Sequence, residues 1–140
     1  MKKWVVPVLL ASLLFLAGMG DLGGGSSGER FPVPEKNFSV VAVDREGVKT
    51  TLIQFNQEGR TSLAGKRGSA SVTIPFEKIG EVQNQGLQGN EALVRVKLKD
   101  QKITELRVDK RSKFYGRADF GTFQIELQDL KSLSFQPAAP

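Results

Sequence analysis

Basic side chains alternate with apolar ones between Glu91 and Arg117, and that spacing is the strongest chemical signal in the chain. Arg95, Lys97 and Lys99 are interleaved with Val94, Val96 and Leu98. In an extended strand, residues two apart point to the same face, so the cations line one side and the aliphatic groups the other. Arg107 stands on the returning segment Thr104–Val108, and Lys110, Arg111, Lys113 and Arg117 follow, with Tyr115 among them. Glu91, Asp100, Glu105 and Asp109 answer part of this charge. A sheet face of this kind attracts anions, and the fitting partners are an acidic envelope polymer, a lipid headgroup or an acidic protein patch. The same lysines also serve as solubilising charges that discourage edge pairing. Arg95, Lys97, Lys99, Arg107, Lys110, Arg111, Lys113, Tyr115 and Arg117 form the candidate anion- or partner-binding set. Exposed aromatics near it for base stacking are few, Tyr115 and Phe120 at most. Nucleic acid, whose single strands are held by stacking, is therefore a poor fit.

What is missing is equally informative. The chain has no histidine and no cysteine. That removes a Ser-His-Asp triad, a thiol nucleophile, zinc held by nitrogen and sulfur, and haem held by histidine. A carboxylate pair or a Ser-Lys dyad is the remaining catalytic option. The acids, among them Asp44, Glu46, Glu58, Glu77, Glu81, Asp119, Glu126 and Asp129, are scattered singly. They assign no catalytic residue, no metal site and no cofactor. The reading is of a protein that is not an enzyme, with a carboxylate-dependent hydrolase as the alternative. Gly65-Lys66-Arg67-Gly68 offers amides and two cations to an anion, but it lacks the Lys-Ser/Thr ending of a phosphate loop. A tight turn needs the same glycines.

The elements that must position these residues are strands. Val94-x-Val96-x-Leu98, the turn Asp100-Gln101-Lys102 and Thr104-x-Leu106-x-Val108 read as a hairpin with one wet face. Ser39–Val43, Asp44-Arg45-Glu46-Gly47 and Thr51-x-Ile53-x-Phe55 repeat that shape. Val72-x-Ile74-x-Phe76 and Phe123-x-Ile125-x-Leu127 are two further strands, each after a glycine-containing turn. Residues 60–82 align without a gap on 111–133. Arg60 falls on Arg111, Gly65 on Gly116 and Lys66 on Arg117, while Val72, Ile74, Phe76, Ile79 and Val82 fall on Phe123, Ile125, Leu127, Leu130 and Leu133. The preceding hairpins match if the first half has a longer loop around Asn56–Gly59. This is an internal duplication, with half-units at about 38–82 and 92–135. It predicts an all-β fold: a small antiparallel β-sandwich, or fused small barrels, of about eight strands. Pro75, which has no amide to donate, belongs on an edge or with its nitrogen facing solvent.

The rhythm of strands and turns resembles that of small Sm-like barrels. The ending Gly116, Gly121, Ile125, Leu127, Asp129, Leu130, Leu133 and Phe135 is similar to that of uncharacterised bacterial envelope domains, a resemblance that implies no activity.

The address comes from the first 20 residues. Lys2 and Lys3 precede the uncharged apolar run Trp4–Gly20, with Gly18 and Gly20 placed for signal peptidase. Removing Lys2 and Lys3 lowers the net charge of +5 by two. Leu16-Ala17-Gly18 resembles a bacterial lipoprotein signal, but Met19 stands where the lipidated cysteine would be. Residues 1–20 are expected to be a signal peptide, 21–35 a flexible Gly/Ser/Pro-rich linker, 36–135 the β-domain and 136–140 a disordered tail. The expected location is the periplasm or extracellular space. An uncleaved signal would instead make the chain an inner-membrane-anchored accessory subunit, touching the membrane only through residues 4–20. Across these readings the function is binding or scaffolding in the bacterial cell envelope, with an acidic polymer or an unidentified protein as partner.

Overall fold

The computed structural model describes residues 31–137, so the expected signal, most of the linker and the last residues of the tail lie outside the described residues. The period-two pattern becomes ten antiparallel strands, with no α-helix among the described residues. They are β1 (Val40–Asp44), β2 (Lys49–Gln57), β3 (Ser62–Arg67), β4 (Ala70–Pro75), β5 (Ile79–Gln88), β6 (Glu91–Leu98), β7 (Ile103–Asp109), β8 (Lys113–Ala118), β9 (Gly121–Glu126) and β10 (Leu130–Phe135). Single 3-10 turns, Phe76–Lys78 and Leu127–Asp129, join β4 to β5 and β9 to β10.

All ten strands form one sheet, ordered β4-β3-β7-β6-β5-β10-β1-β2-β8-β9 and curled into a half-barrel. This corrects the expectation of a sandwich or fused barrels with about eight strands. The missed strands are β3 and β8, whose Gly65 and Gly116 read as turn residues. Both glycines sit inside strands because a neighbouring backbone comes too close for a side chain. A Cβ on Gly65 would lie 2.9 Å from the Arg107 carbonyl oxygen, and one on Gly116 would lie 3.2 Å from that of Ile53.

The expected hairpin forms as β6 and β7, with Val96 opposite Thr104 and Val94 opposite Leu106. The core lies on the inner side of the curl. Val40, Ala42, Leu52, Val94, Val96 and Leu106 are buried there, each at 2% exposure or less. At its centre Phe55 stacks on Phe114 at 5.5 Å, and Phe76 and Phe135 meet at 4.9 Å. Of the two aligned apolar frames, Phe76, Ile79, Val82, Leu127, Leu130 and Leu133 are buried. Val72, Ile74, Phe123 and Ile125 are only partly buried. They belong to β4 and β9, where the sheet stops and no further strand covers them. Pro75 is on edge strand β4, as its missing amide requires.

Exchanging β1–β5 with β6–β10 turns the strand order into its own reverse. Hydrogen bonds repeat in the same way. Phe76 N donates to Thr61 O as Leu127 N does to Ser112 O, and Lys99 N donates to Lys78 O as Arg45 N does to Asp129 O. Strands β3–β7, contiguous in the chain, occupy one half of the sheet, and β1, β2, β8, β9 and β10 occupy the other.

The halves differ where β2 ends. A bulge at Gln54 (φ 54) shifts the register between Ile53 and Asn56, and β2 runs on to a tight turn at Glu58-Gly59. Asn56 and Gln57 are buried there. Asn56 Nδ2 donates to Gln54 O, and Gln57 Oε1 accepts from Ala64 N at 3.0 Å. These contacts satisfy polar groups that burial would otherwise penalise.

Candidate functional site: the outer face of β3, β7 and β6

Because Ala92, Val94 and Val96 point into the core, Leu93, Arg95 and Lys97 point outward from β6. Register sets Arg95 opposite Glu105, Leu93 opposite Arg107 and Lys97 opposite Ile103. Strand β3 enters from the other side and pairs Lys66 with Arg107. Lys66, Arg107, Arg95 and Lys97 thus share one outward face across three neighbouring strands, with Arg67 at its rim. The strands frame a shallow depression of about 540 Å³.

Two of these cations are partly answered. Arg95 Nη2 lies 3.7 Å from Glu105 Oε2, and Arg107 Nη1 lies 3.2 Å from Glu91 Oε1. The second guanidinium nitrogen of Arg107, Nη2, donates to the Gly68 carbonyl, which ties the β3–β4 hairpin tip to β7. Each guanidinium carries five N–H donors, so one carboxylate leaves donors available. Lys66, Arg67 and Lys97 form no ion pair among the described residues. Exposed pairs of this kind contribute little to stability.

The nine sequence candidates are not brought together. Arg95, Lys97 and Arg107 share the face. Lys99 lies in the β6–β7 turn, its amide bonded to Lys78 O. Lys110 and Arg111 lie in the turn after β7, where Arg111 N donates to Asp109 Oδ1. Lys113, Tyr115 and Arg117 are on β8, which pairs with β2 and β9; β6, β5, β10, β1 and β2 separate it from β7 along the sheet. The chain leaves one half of the sheet between Asp109 and Lys113, so neighbours in sequence part in space. Lys66 and Arg67 join the face in their place. Local pattern showed them only as loop cations and could not set them beside Arg107, because the β3–β7 pairing joins segments far apart in the chain.

The equivalent strands in the other half present different chemistry. The turns after β1 and β6 correspond: Asp44 N bonds Val48 O as Leu98 N bonds Lys102 O, and Gly47 and Gln101 both have positive φ. Counting from those turns, Val41, Val43 and Ile53 stand where Arg95, Lys97 and Arg107 stand. Neither half gathers three or more His, Cys, Asp or Glu side chains into a metal-binding group among the described residues. No helix of the described residues is long and apolar enough to cross a membrane.

Fold and site together define an all-β domain carrying a basic outer sheet face. Residues 34–138 match a sequence family described as "Uncharacterised protein", and the chain belongs to that family. It is also similar to an "Uncharacterized protein" of Aquifex aeolicus (strain VF5), with 24% identity over 123 residues covering 88% of this chain and 89% of the relative.

Proposed function

We propose that this protein is a non-catalytic binding module of the bacterial cell envelope whose β3–β7–β6 face holds an anionic polymer or an acidic protein surface. The convergence of Lys66, Arg95, Lys97 and Arg107 on one outward face carries the reading. The backbone frame does not demand Arg95, Lys97 and Arg107, because the equivalent positions are filled by Val41, Val43 and Ile53; the equivalent of Lys66 is Arg117. Export rests on Lys2, Lys3 and the apolar run to Gly20, which precede the domain.

The two halves are read as copies of one five-strand unit. Strands β3 and β8, β4 and β9, the 3-10 turns and the starts of β5 and β10 have the same spacing in the chain. The strand order maps onto its own reverse when the halves are exchanged. In this reading the two copies share a cation at Lys66 and Arg117, and one copy adds Arg95, Lys97 and Arg107 where the other keeps aliphatic side chains.

The binding test compares two double variants of equal charge change on a dextran sulfate column. Lys66→Glu/Lys97→Glu should elute at clearly lower salt than the parent, since exposed charges act over roughly a 10 Å screening length at 0.1 M salt. Lys110→Glu/Lys113→Glu should elute nearer the parent. Equal shifts for both would mean attraction to net charge alone and would remove the site.

A further inference from the structure

The sheet has two free edges, and they are not equally open. In a two-residue hairpin the pair flanking the loop exchanges hydrogen bonds, and bonded and non-bonded pairs then alternate. Ala118 and Gly121 flank the loop of β8 and β9, so Thr122, Gln124 and Glu126 turn their N–H and C=O groups away from β8. On β4 the corresponding outward residues are Ser71, Thr73 and Pro75. Proline has no N–H, so β4 is blunted where β9 is complete. Strand β9 has no bulge in its pairing and no lysine or arginine.

We infer that β9 is a self-association edge, pairing antiparallel with β9 of a second copy about a two-fold axis through Gln124. That register sets Thr122 opposite the partner's Glu126 and Gln124 opposite its own counterpart. It engages every outward N–H and C=O of both strands. Centring on Glu126 would oppose two carboxylates, and centring on Thr122 would leave Glu126 unpaired. On the inner side the same register sets Phe123 against the partner's Ile125, twice. These are the side chains the free chain leaves partly covered, and aromatic–β-branched pairs stabilise adjacent strands. An open depression of about 410 Å³ beside Ile125, rimmed by Asp44, Arg45 and Asp129, lies at the end of β9 towards which the partner's hairpin tip runs. That tip carries Phe120, which is 79% exposed. The product is a closed two-fold dimer with one continuous sheet and two basic faces.

The chain has no native cysteine, which makes cross-linking a clean test. Directly opposed residues of a bonded pair lie about 5.5 Å apart at Cα, within disulfide range. Purified Gln124→Cys should form a disulfide dimer under mild oxidation, and Thr73→Cys, the corresponding position on β4, should stay monomeric. A Thr73→Cys dimer, a cross-link formed only when the two variants are mixed, or no cross-link in any arm would each overturn the assignment. Sedimentation equilibrium supplies a second measurement, using Glu126→Pro. Glu126 has φ −84 and ψ 151, close to the −61 and 141 of Pro75, so the substitution is compatible with the backbone. It removes the outward amide together with the Glu126 carboxylate, which accepts from Gln128 Nε2, so Glu126→Ala serves as the side-chain control. Relative to that control, Glu126→Pro should weaken dimerisation at least tenfold while leaving the thermal midpoint of dilute protein in place. A parent protein that stays monomeric across the concentration range, or a Glu126→Pro dimer of unchanged affinity, would overturn the proposal.

Discussion

Replacing Gly65 with alanine tests the crossing on which the fold depends. Strand β3 meets β7 there, and a Cβ would stand 2.9 Å from Arg107 O, 2.9 Å from Val108 Cγ2 and 3.3 Å from Leu106 Cβ. The oxygen belongs to a strand paired on both sides, so it cannot retreat; β3 must move, loosening the Lys66–Arg107 pairing. Two terms oppose each other. Alanine restricts the unfolded chain and stabilises by about 0.4–1 kcal/mol where the backbone is compatible. Forcing a methyl group into a filled space costs about 1–3 kcal/mol. With a backbone atom and a core methyl both at 2.9 Å, the second term wins, and a net loss of about 1–2 kcal/mol is expected. In a domain of this size that is a fall in Tm of roughly 4–8 °C per kcal/mol. Far-UV circular dichroism during thermal and urea unfolding reads it. Gly116→Ala, whose nearest contact is 3.0 Å to Leu52 Cβ, should move the same way by less. Gly80→Ala, with its nearest atom at 3.4 Å, should stay within about 0.5 kcal/mol of the parent. A Gly65→Ala protein as stable as the parent would refute the close crossing and with it the account of β3 as an interior strand.

Two more outcomes follow from the core and the surface. Phe55 is fully buried, with ring centroids 5.5 Å from Phe114, 5.6 Å from Phe76 and 5.8 Å from Phe135. Phe55→Ala should cost about 3–5 kcal/mol in urea unfolding, whereas Leu87→Ala, at a position 49% exposed, should change little. The hydrogen bond from Lys36 holds the Glu77 carboxyl below the usual carboxylate range, and the same bond raises the Lys36 ammonium. The carboxylate's contribution is present above its unfolded pKa of about 4.3 and fades as pH falls through the depressed folded value. The ammonium's contribution is present below about 10.4 and fades as pH rises through the raised folded value. Carboxyl chemical shifts followed by NMR should show Glu77 titrating at higher pH in Lys36→Gln than in the parent; an unchanged midpoint would remove the pairing.

The alternation of Val94, Val96 and Leu98 with Arg95, Lys97 and Lys99 was enough to place a hairpin and to say which side chains face water. A strand's faces follow from local geometry alone. The same holds for Pro75, whose missing amide confines it to an edge wherever the strand is placed. The matching frames of 60–82 and 111–133 likewise anticipated two strands of identical spacing, β4 and β9. What local pattern misread was Gly65 and Gly116, since a glycine inside a strand looks like a turn until the strand pressed against it is known. The candidate site was half legible for a related reason. Arg95, Lys97 and Arg107 share a face because β6 and β7 are neighbours in sequence, but Lys66 joins them and Lys113 and Arg117 leave through the β3–β7 and β2–β8 pairings. Those pairings were decided by tertiary structure, because they depend on how the apolar faces of distant strands close over one core, and no short stretch of sequence contains both partners.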